Sequence, residues 1–323
     1  MRIVIPDDYQ DAVERLSCFA LLKGHGITRY REPAASFAAL IERLKPADVI
    51  VAIRERIDFN RALIEHLPNL KLIALVGRNA TTIDYAACTE HGIMVSRGES
   101  NSPTAPAELT VALILASRRN VVIEAERMRR GEWPCTLSHR LRGSTLGIFG
   151  LGNIGSLVAE AGAGLGLKIL VWGQEHSARR AVEKGYEAAP DKAALFERSD
   201  VLSLHVRLRP DTNGIVGPED LARMKPTALI VNTSRAELIQ PGALLTALRA
   251  GRPGYAAVDV YEKEPILNGD HPFLAMPNVI CMPHLGWAEW ENFELYFTET
   301  FEQIAAFAAG KPLRLANPDV KPR

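Results

Sequence analysis

Cysteine is scarce. Cys18, Cys88, Cys135 and Cys281 are spread along 323 positions without a Cys-x-x-Cys spacing. That argues against a disulfide framework and against a zinc site, and it fits a reducing, cytoplasmic setting. An excess of either charge is also missing, since 38 Lys and Arg balance 38 Asp and Glu. Neutrality removes the electrostatic footprint expected of a nucleic-acid or anionic-membrane binder. The basic stretch Arg127–Arg130 sits among Glu124, Glu126 and Glu132 and reads as a solvated helix face. No apolar run approaches the ~18 residues of a membrane span. The longest, Val111–Ala116, reads as a buried helix, and Met1–Asp8 lacks the apolar region of a signal peptide. No solenoid-type repeat is visible. What is present is a chain of ordinary globular composition, long enough for two domains with sizeable cores.

Short β-rich runs alternate with amphipathic stretches along the whole sequence. Strands are predicted at 2–5, 26–30, 48–52, 71–76 and 93–96, with helices at 9–22, 36–44 and 60–67 between them. After the break Asn101-Ser102-Pro103-Thr104-Ala105-Pro106 an apolar helix follows at 107–117. A second series places strands at 145–149, 168–172, 200–206, 228–232, 254–260 and 278–282. Its helices fall at 154–164, 178–184, 192–198, 219–224 and 241–250, and a last helix at 288–309. Alternation of this kind builds parallel sheets covered by crossover helices. The predicted fold is α/β with two doubly wound domains. A Rossmann-type unit, 101–287, is inserted into a flavodoxin-like unit, 1–100 plus 288–323. Two chain crossings would form a hinge with a ligand cleft between the domains.

The second unit opens on Thr145–Phe149, an apolar strand running into Gly150-Leu151-Gly152-Asn153-Ile154-Gly155 and then a small-residue helix. In such a strand–turn–helix Gly150 permits the tight turn, Gly152 lets the backbone approach a pyrophosphate, and Gly155 lets helix and strand pack closely. The helix N-terminus then directs free N–H groups at the phosphates. A dinucleotide is the ligand this pattern suits.

Three further motifs follow strand ends, where open α/β sheets hold ligands. They are Val231-Asn232-Thr233-Ser234-Arg235, the run from Ala257 through Asp259 to Glu264-Pro265, and Met282-Pro283-His284-Leu285-Gly286-Trp287. Singly, each has a plain structural reading: a surface arginine, a loop glutamate, a hydrogen-bonding histidine. Together they supply what hydride transfer to a 2-oxo acid needs. An arginine fork grips a carboxylate. A histidine handles the proton on the C2 oxygen, and a carboxylate beside it orients the ring and favours the imidazolium.

On these motifs and their order, over nearly its whole length, the chain resembles the D-isomer-specific 2-hydroxyacid dehydrogenase family. The resemblance implies Arg235, Glu264 and His284 as substrate-binding arginine, carboxylate partner and acid/base. It implies cofactor contacts from Gly150, Gly152, Asn153, Ile154, Gly155, Gly173, Gln174, Thr233, Ser234 and Gly286, with Asp259 holding the nicotinamide carboxamide. The segment Leu204-His205-Val206-Arg207, with Thr212 beyond it, would line the adenosine side. Gly77-Arg78-Asn79 falls where relatives bind the substrate carboxylate, and Arg54 follows a strand end in the first domain. A homodimer formed mainly through the cofactor domains is also implied.

The chain departs from the family pattern at the end of its second cofactor-domain strand. There Val171-Trp172-Gly173-Gln174 has glycine where relatives place the aspartate that accepts from the NAD ribose. His176, Arg179 and Arg180 follow, and Arg207 replaces a usual proline. The balance tilts from NAD toward NADP, against which Glu175 stands nearby. Asn79 and Ala236 replace common glycines. If Arg54 and Arg78 face the substrate, a more anionic or hydroxylated 2-oxo acid fits better than lactate. Alternatives are a D-3-phosphoglycerate dehydrogenase-like enzyme and a nucleotide-sensing binding protein like the family's corepressors. Glu264 disfavours formate dehydrogenase, whose relatives carry glutamine there.

Overall fold

Among the described residues, twelve short strands, all paired in parallel, carry the architecture. The computed structural model describes residues 1–78 and 82–322. The chain divides into two compact units, Met1–Ser102 with Glu289–Arg323, and Pro103–Ala288.

The first unit holds β1 (Arg2–Ile5), β2 (Gly26–Arg29), β3 (Val49–Ile53), β4 (Leu72–Val76) and β5 (Met94–Arg97), in the order β2-β1-β3-β4-β5. This is the flavodoxin-like order, with a topological switch between β1 and β3. Every residue of β3 and β4 is buried, as expected of strands covered on both faces. The helix Trp290–Ala308 closes the unit with buried Phe293, Phe297 and Phe301. Its Glu294 accepts from the N–H groups of Ser17 and Cys18, at 3.0 and 2.8 Å.

That long-range contact bears on a correction. The helix predicted at 9–22 is instead two 3₁₀ segments, Val13–Arg15 and Ser17–Leu22, with Leu16 extended between them. The buried carboxylate of Asp8 takes the N–H groups of Ala12 and Val13, and Asp11 adopts a left-handed backbone. Local aspartate turns and a distant glutamate thus compete successfully with the helical period. The helices Tyr85–Glu90, capped by Asp84, and Val121–Arg129 are additions to the predicted set.

The second unit holds β6 (Thr145–Phe149), β7 (Lys168–Trp172), β8 (Glu187–Ala188), β9 (Val201–Leu204), β10 (Leu229–Asn232), β11 (Tyr255–Val258) and β12 (Val279–Cys281). Their order, β12-β11-β10-β9-β6-β7-β8, is that of a Rossmann sheet whose switch point lies between β6 and β9. Strand β8, two residues long, left no periodic signal in the sequence. Register matters more than order for function. Phe149 pairs with Trp172 and Leu204, Asn232 with Leu204 and Val258, and Val258 with Cys281. One row of residues therefore ends six strands at the same level. Gly150, Gly173, His205, Arg235, Asp259 and His284 each stand one to three residues beyond it. Among the described residues, no helix is long and apolar enough to cross a membrane.

Candidate active site

The glycine loop is shaped by close approaches. Gly150 has φ +98°, where a side chain would be strained, and a Cβ on it would lie 3.1 Å from the His205 carbonyl. At Gly155 a Cβ would come within 2.2 Å of the Gly150 carbonyl oxygen, so only glycine lets the helix Asn153–Gly164 start this near the turn. A Cβ on Gly152, by contrast, would meet nothing within 4 Å. That open cradle at a helix N-terminus fits a pyrophosphate.

Beside it lies a cavity of about 310 Å³. Gly150, Gly152, Trp172, Gly173, Gln174, His176, His205, Arg207, Arg209 and Asp211 are among the residues lining it. A Cβ on Gly173 would come 2.9 Å from Ser177 Oγ and 3.4 Å from Gly150 Cα, so the hydroxyl and the turn take the space of a side chain there. Burial pushes the His205 imidazole down to about 4, which keeps it neutral, with Nε2 2.8 Å from Ser203 Oγ. Thr212 also lines this cavity and ties the loop together: its Oγ1 donates to the Arg207 carbonyl and accepts from the Arg209 N–H, both at 2.7 Å.

Arg180 donates Nη1 to the Leu151 carbonyl at 2.7 Å and so braces the glycine loop. Arg179 and Glu175 are exposed, and Glu175 opens the helix Glu175–Glu183, three residues before the predicted start. Arg209 was missed. The sequence signal that finds it is the alternation Arg207-x-Arg209, which turns two successive cations of one loop toward the same cavity.

Along the same edge of the sheet the loop after β10 is organised by buried Asn232. Its Nδ2 donates to the Arg235 carbonyl at 2.9 Å, and its Oδ1 accepts from the Ser234 N–H at 3.0 Å. Ser234 Oγ donates to the Val206 carbonyl, and Thr233 Oγ1 lies 2.7 Å from Thr110 Oγ1. Arg235 is thereby presented at the sheet edge, where Nη1 also donates to the Ser234 carbonyl at 2.8 Å.

Glu264 and His284 meet although twenty residues separate them: His284 Nδ1 lies 2.5 Å from Glu264 Oε2. The other oxygen, Oε1, accepts from the Tyr261 N–H at 2.9 Å. Burial works to raise the Glu264 carboxyl. The hydrogen bond and charge of His284, the Tyr261 N–H and the charge of Arg235 outweigh it and hold the group below the ordinary carboxylate value. The site therefore presents an ionised carboxylate bound to an imidazole, with a guanidinium charge close by.

Asp259 is fully buried. Its oxygens accept from the N–H groups of Leu285 and Gly286, both at 2.7 Å. In the first unit, Arg54 follows β3 with a left-handed backbone, and its Nη1 lies 2.9 Å from where a Gly77 Cβ would stand. Arg56 donates to the Asp7 carbonyl and to Gln10 Oε1, and its guanidinium lies 4.5 Å from the Tyr9 ring centre. Arg78 is exposed, and Asn79 lies outside the described residues.

Comparison with known proteins places the chain in a family. Residues 111–286 match the D-isomer specific 2-hydroxyacid dehydrogenase, NAD binding domain. The chain is 36% identical over 307 residues to a glyoxylate reductase of Aeropyrum pernix, covering 90% of this chain and 89% of that one. The chain belongs to the D-isomer specific 2-hydroxyacid dehydrogenase family. It is also 38% identical over 274 residues to a D-3-phosphoglycerate dehydrogenase of Methanocaldococcus jannaschii, covering 84% of this chain and 52% of that one, about half its length. Among solved structures, a phosphoglycerate oxidoreductase from Vibrio cholerae superposes with a TM-score of 0.92 at 47% identity, covering 96% of this chain and 99% of that one. As a member of this dehydrogenase family the protein is an oxidoreductase with an NAD-binding domain.

Proposed function

We propose that this protein interconverts a 2-oxo acid and a (2R)-hydroxy acid with a nicotinamide cofactor. The observation that carries the reading is the Glu264–His284 contact at 2.5 Å, on the sheet edge that also bears Arg235. Arg235 binds the substrate carboxylate through its planar fork. In reduction His284 donates a proton to the C2 oxygen, and in oxidation the neutral ring takes it back. Glu264 fixes the ring through Nδ1, which leaves Nε2 for the substrate oxygen. The bound cofactor supplies or accepts the hydride at C2. Arg54, Arg78 and Asn79 would select the remainder of the acid.

NADP is the cofactor we favour. The end of β7 offers Gly173 and Gln174 in place of an acidic side chain, and His176, Arg207 and Arg209 line the adjoining cavity. Guanidinium groups suit a phosphate, and the repulsion of a ribose-binding carboxylate is missing at Gly173.

We also infer a homodimer formed through the second unit. The helix Val121–Arg129 buries none of its residues, and Val121, Met128, Trp133 and Leu137 are exposed by 53, 62, 78 and 94%. So much exposed apolar side chain on one short segment marks a contact surface.

The decisive experiment assays glyoxylate, hydroxypyruvate, pyruvate and bulkier or phosphorylated 2-oxo acids with NADPH and NADH. Oxidation of NADPH by at least one of them, with higher kcat/KM than with NADH, is expected. A large preference for NADH would overturn the cofactor assignment. Cofactor binding without turnover of any acid would favour the nucleotide-sensing alternative.

A further inference from the structure

His284 has φ 52°, in the left-handed region that glycine enters freely and other residues rarely adopt. A residue held there needs neighbours that over-determine the backbone. Both flanks of His284 are tied to the end of one strand, β11. On the C-terminal side the Asp259 carboxylate accepts from the Leu285 N–H through Oδ1 and from the Gly286 N–H through Oδ2, each at 2.7 Å. On the N-terminal side Tyr261 Oη donates to the Met282 carbonyl at 3.0 Å. The backbone N–H of the same Tyr261 donates to Glu264 Oε1, so one residue bonds the carboxylate partner and the strand leading to the histidine.

Space around the contact is consistent with a fixed joint. A Cβ on Gly286 would stand 3.1 Å from Asp259 Oδ2, so a larger residue there would press on the carboxylate that its own N–H binds. Asp259 is fully buried, and Tyr261 is 8% exposed. A buried carboxylate without partners is costly, and two short backbone donors offset part of that cost while consuming one acceptor position on each oxygen.

We propose that Asp259 and Tyr261 are positioning residues that hold the His284 loop from both sides. Asp259 acts on the loop with one acceptor position of each oxygen, and the second position on each is left for the nicotinamide carboxamide that the resemblance implies. Its two acceptors match the two successive N–H groups after His284, an arrangement that turns the imidazole toward Glu264. Tyr261 fixes the approach of β12 from the opposite side. The inference rests on the acid/base assignment of His284, although the loop geometry it describes stands independently of turnover.

The test uses Asp259→Asn, Tyr261→Phe and the double variant. It measures kcat at saturating cofactor, the Kd of reduced cofactor by fluorescence titration, and backbone hydrogen exchange over residues 284–287. In Asp259→Asn an amide NH₂ faces a backbone N–H where an acceptor stood. The kcat is expected to fall about tenfold or more through misplacement of the acid/base. The cofactor Kd should weaken by much less than kcat falls, because the amide keeps one acceptor oxygen for the carboxamide. Exchange at Leu285 and Gly286 should accelerate. Tyr261→Phe should lower kcat severalfold in the same sense, and the double variant should lose less than the product of the single losses, since both act on one loop. An unchanged kcat with a cofactor Kd weakened about tenfold would assign Asp259 to the cofactor and overturn the proposal. Unaltered exchange at Leu285 and Gly286 in Asp259→Asn would also overturn it. If that variant does not fold, Tyr261→Phe decides alone: wild-type kcat and exchange would contradict the brace. Should the wild-type protein reduce no 2-oxo acid, the functional reading fails, and hydrogen exchange still decides the brace.

Discussion

Glu264 illustrates how neighbours settle the protonation of one side chain. Burial alone would raise its pKa, yet His284, the Tyr261 N–H and Arg235 hold it below its ordinary value. A carboxylate depressed in the folded state contributes stability above its unfolded pKa and loses it as pH falls through the folded one. Glu264→Gln should therefore show a smaller loss of Tm than the wild type between about pH 5 and pH 3. The same substitution removes the negative partner of the imidazolium. Reduction should slow by about ten- to a hundredfold. Reduction by Glu264→Gln at the wild-type rate would show that the contact plays no part in proton transfer. At this scale the sequence was uneven. The identities of Arg235, Glu264 and His284 were readable from strand-end motifs, and the structure sets Glu264 against His284. The direction of a long side chain was not readable. Arg180 donates to the Leu151 carbonyl at the glycine turn, a bond that its place in the sequence does not announce.

At the scale of elements, the strands were legible because β-branched runs buried on both faces leave a continuous apolar signal. The segment 9–22 was not, since its helical period is overridden by Asp8, Asp11 and the distant Glu294. Helix starts were set by side-chain oxygens more faithfully than by periodicity. Ser36, Asn60 and Asp191 each accept from a backbone N–H three residues on. The helix Val121–Arg129 is the element whose sequence pattern fits its own unit least, because its apolar residues face outward. If that surface joins two copies, light scattering should give twice the chain mass for the wild type. Leu137→Asp combined with Met128→Glu should shift it toward the single chain without lowering Tm by the several degrees that loss of core packing brings. A monomeric wild type would contradict the inferred dimer.

Across the whole molecule, function follows from register. Six parallel strands of the second unit stop at one level, and the loops beyond them carry the glycine turn, the cation-lined cavity and the Arg235–Glu264–His284 cluster. Residues distant in sequence become neighbours because each parallel crossover returns the chain to the same edge. Sequence order and motif identity were enough to anticipate that edge. The finer arrangement was not legible, because the bonds from Asp259 to Leu285 and Gly286, and from Tyr261 to Met282, depend on pairing between β11 and β12. In the proposed reaction His284 is the proton donor and acceptor at C2. A single comparison tests this: wild type and His284→Gln in cofactor-dependent reduction of the best 2-oxo acid, with chiral analysis of the product and cofactor Kd determined in parallel. The expected outcome is the (2R)-hydroxy acid from the wild type, unchanged cofactor binding in the variant, and a kcat lower by ~10² or more. Wild-type turnover by His284→Gln would contradict it.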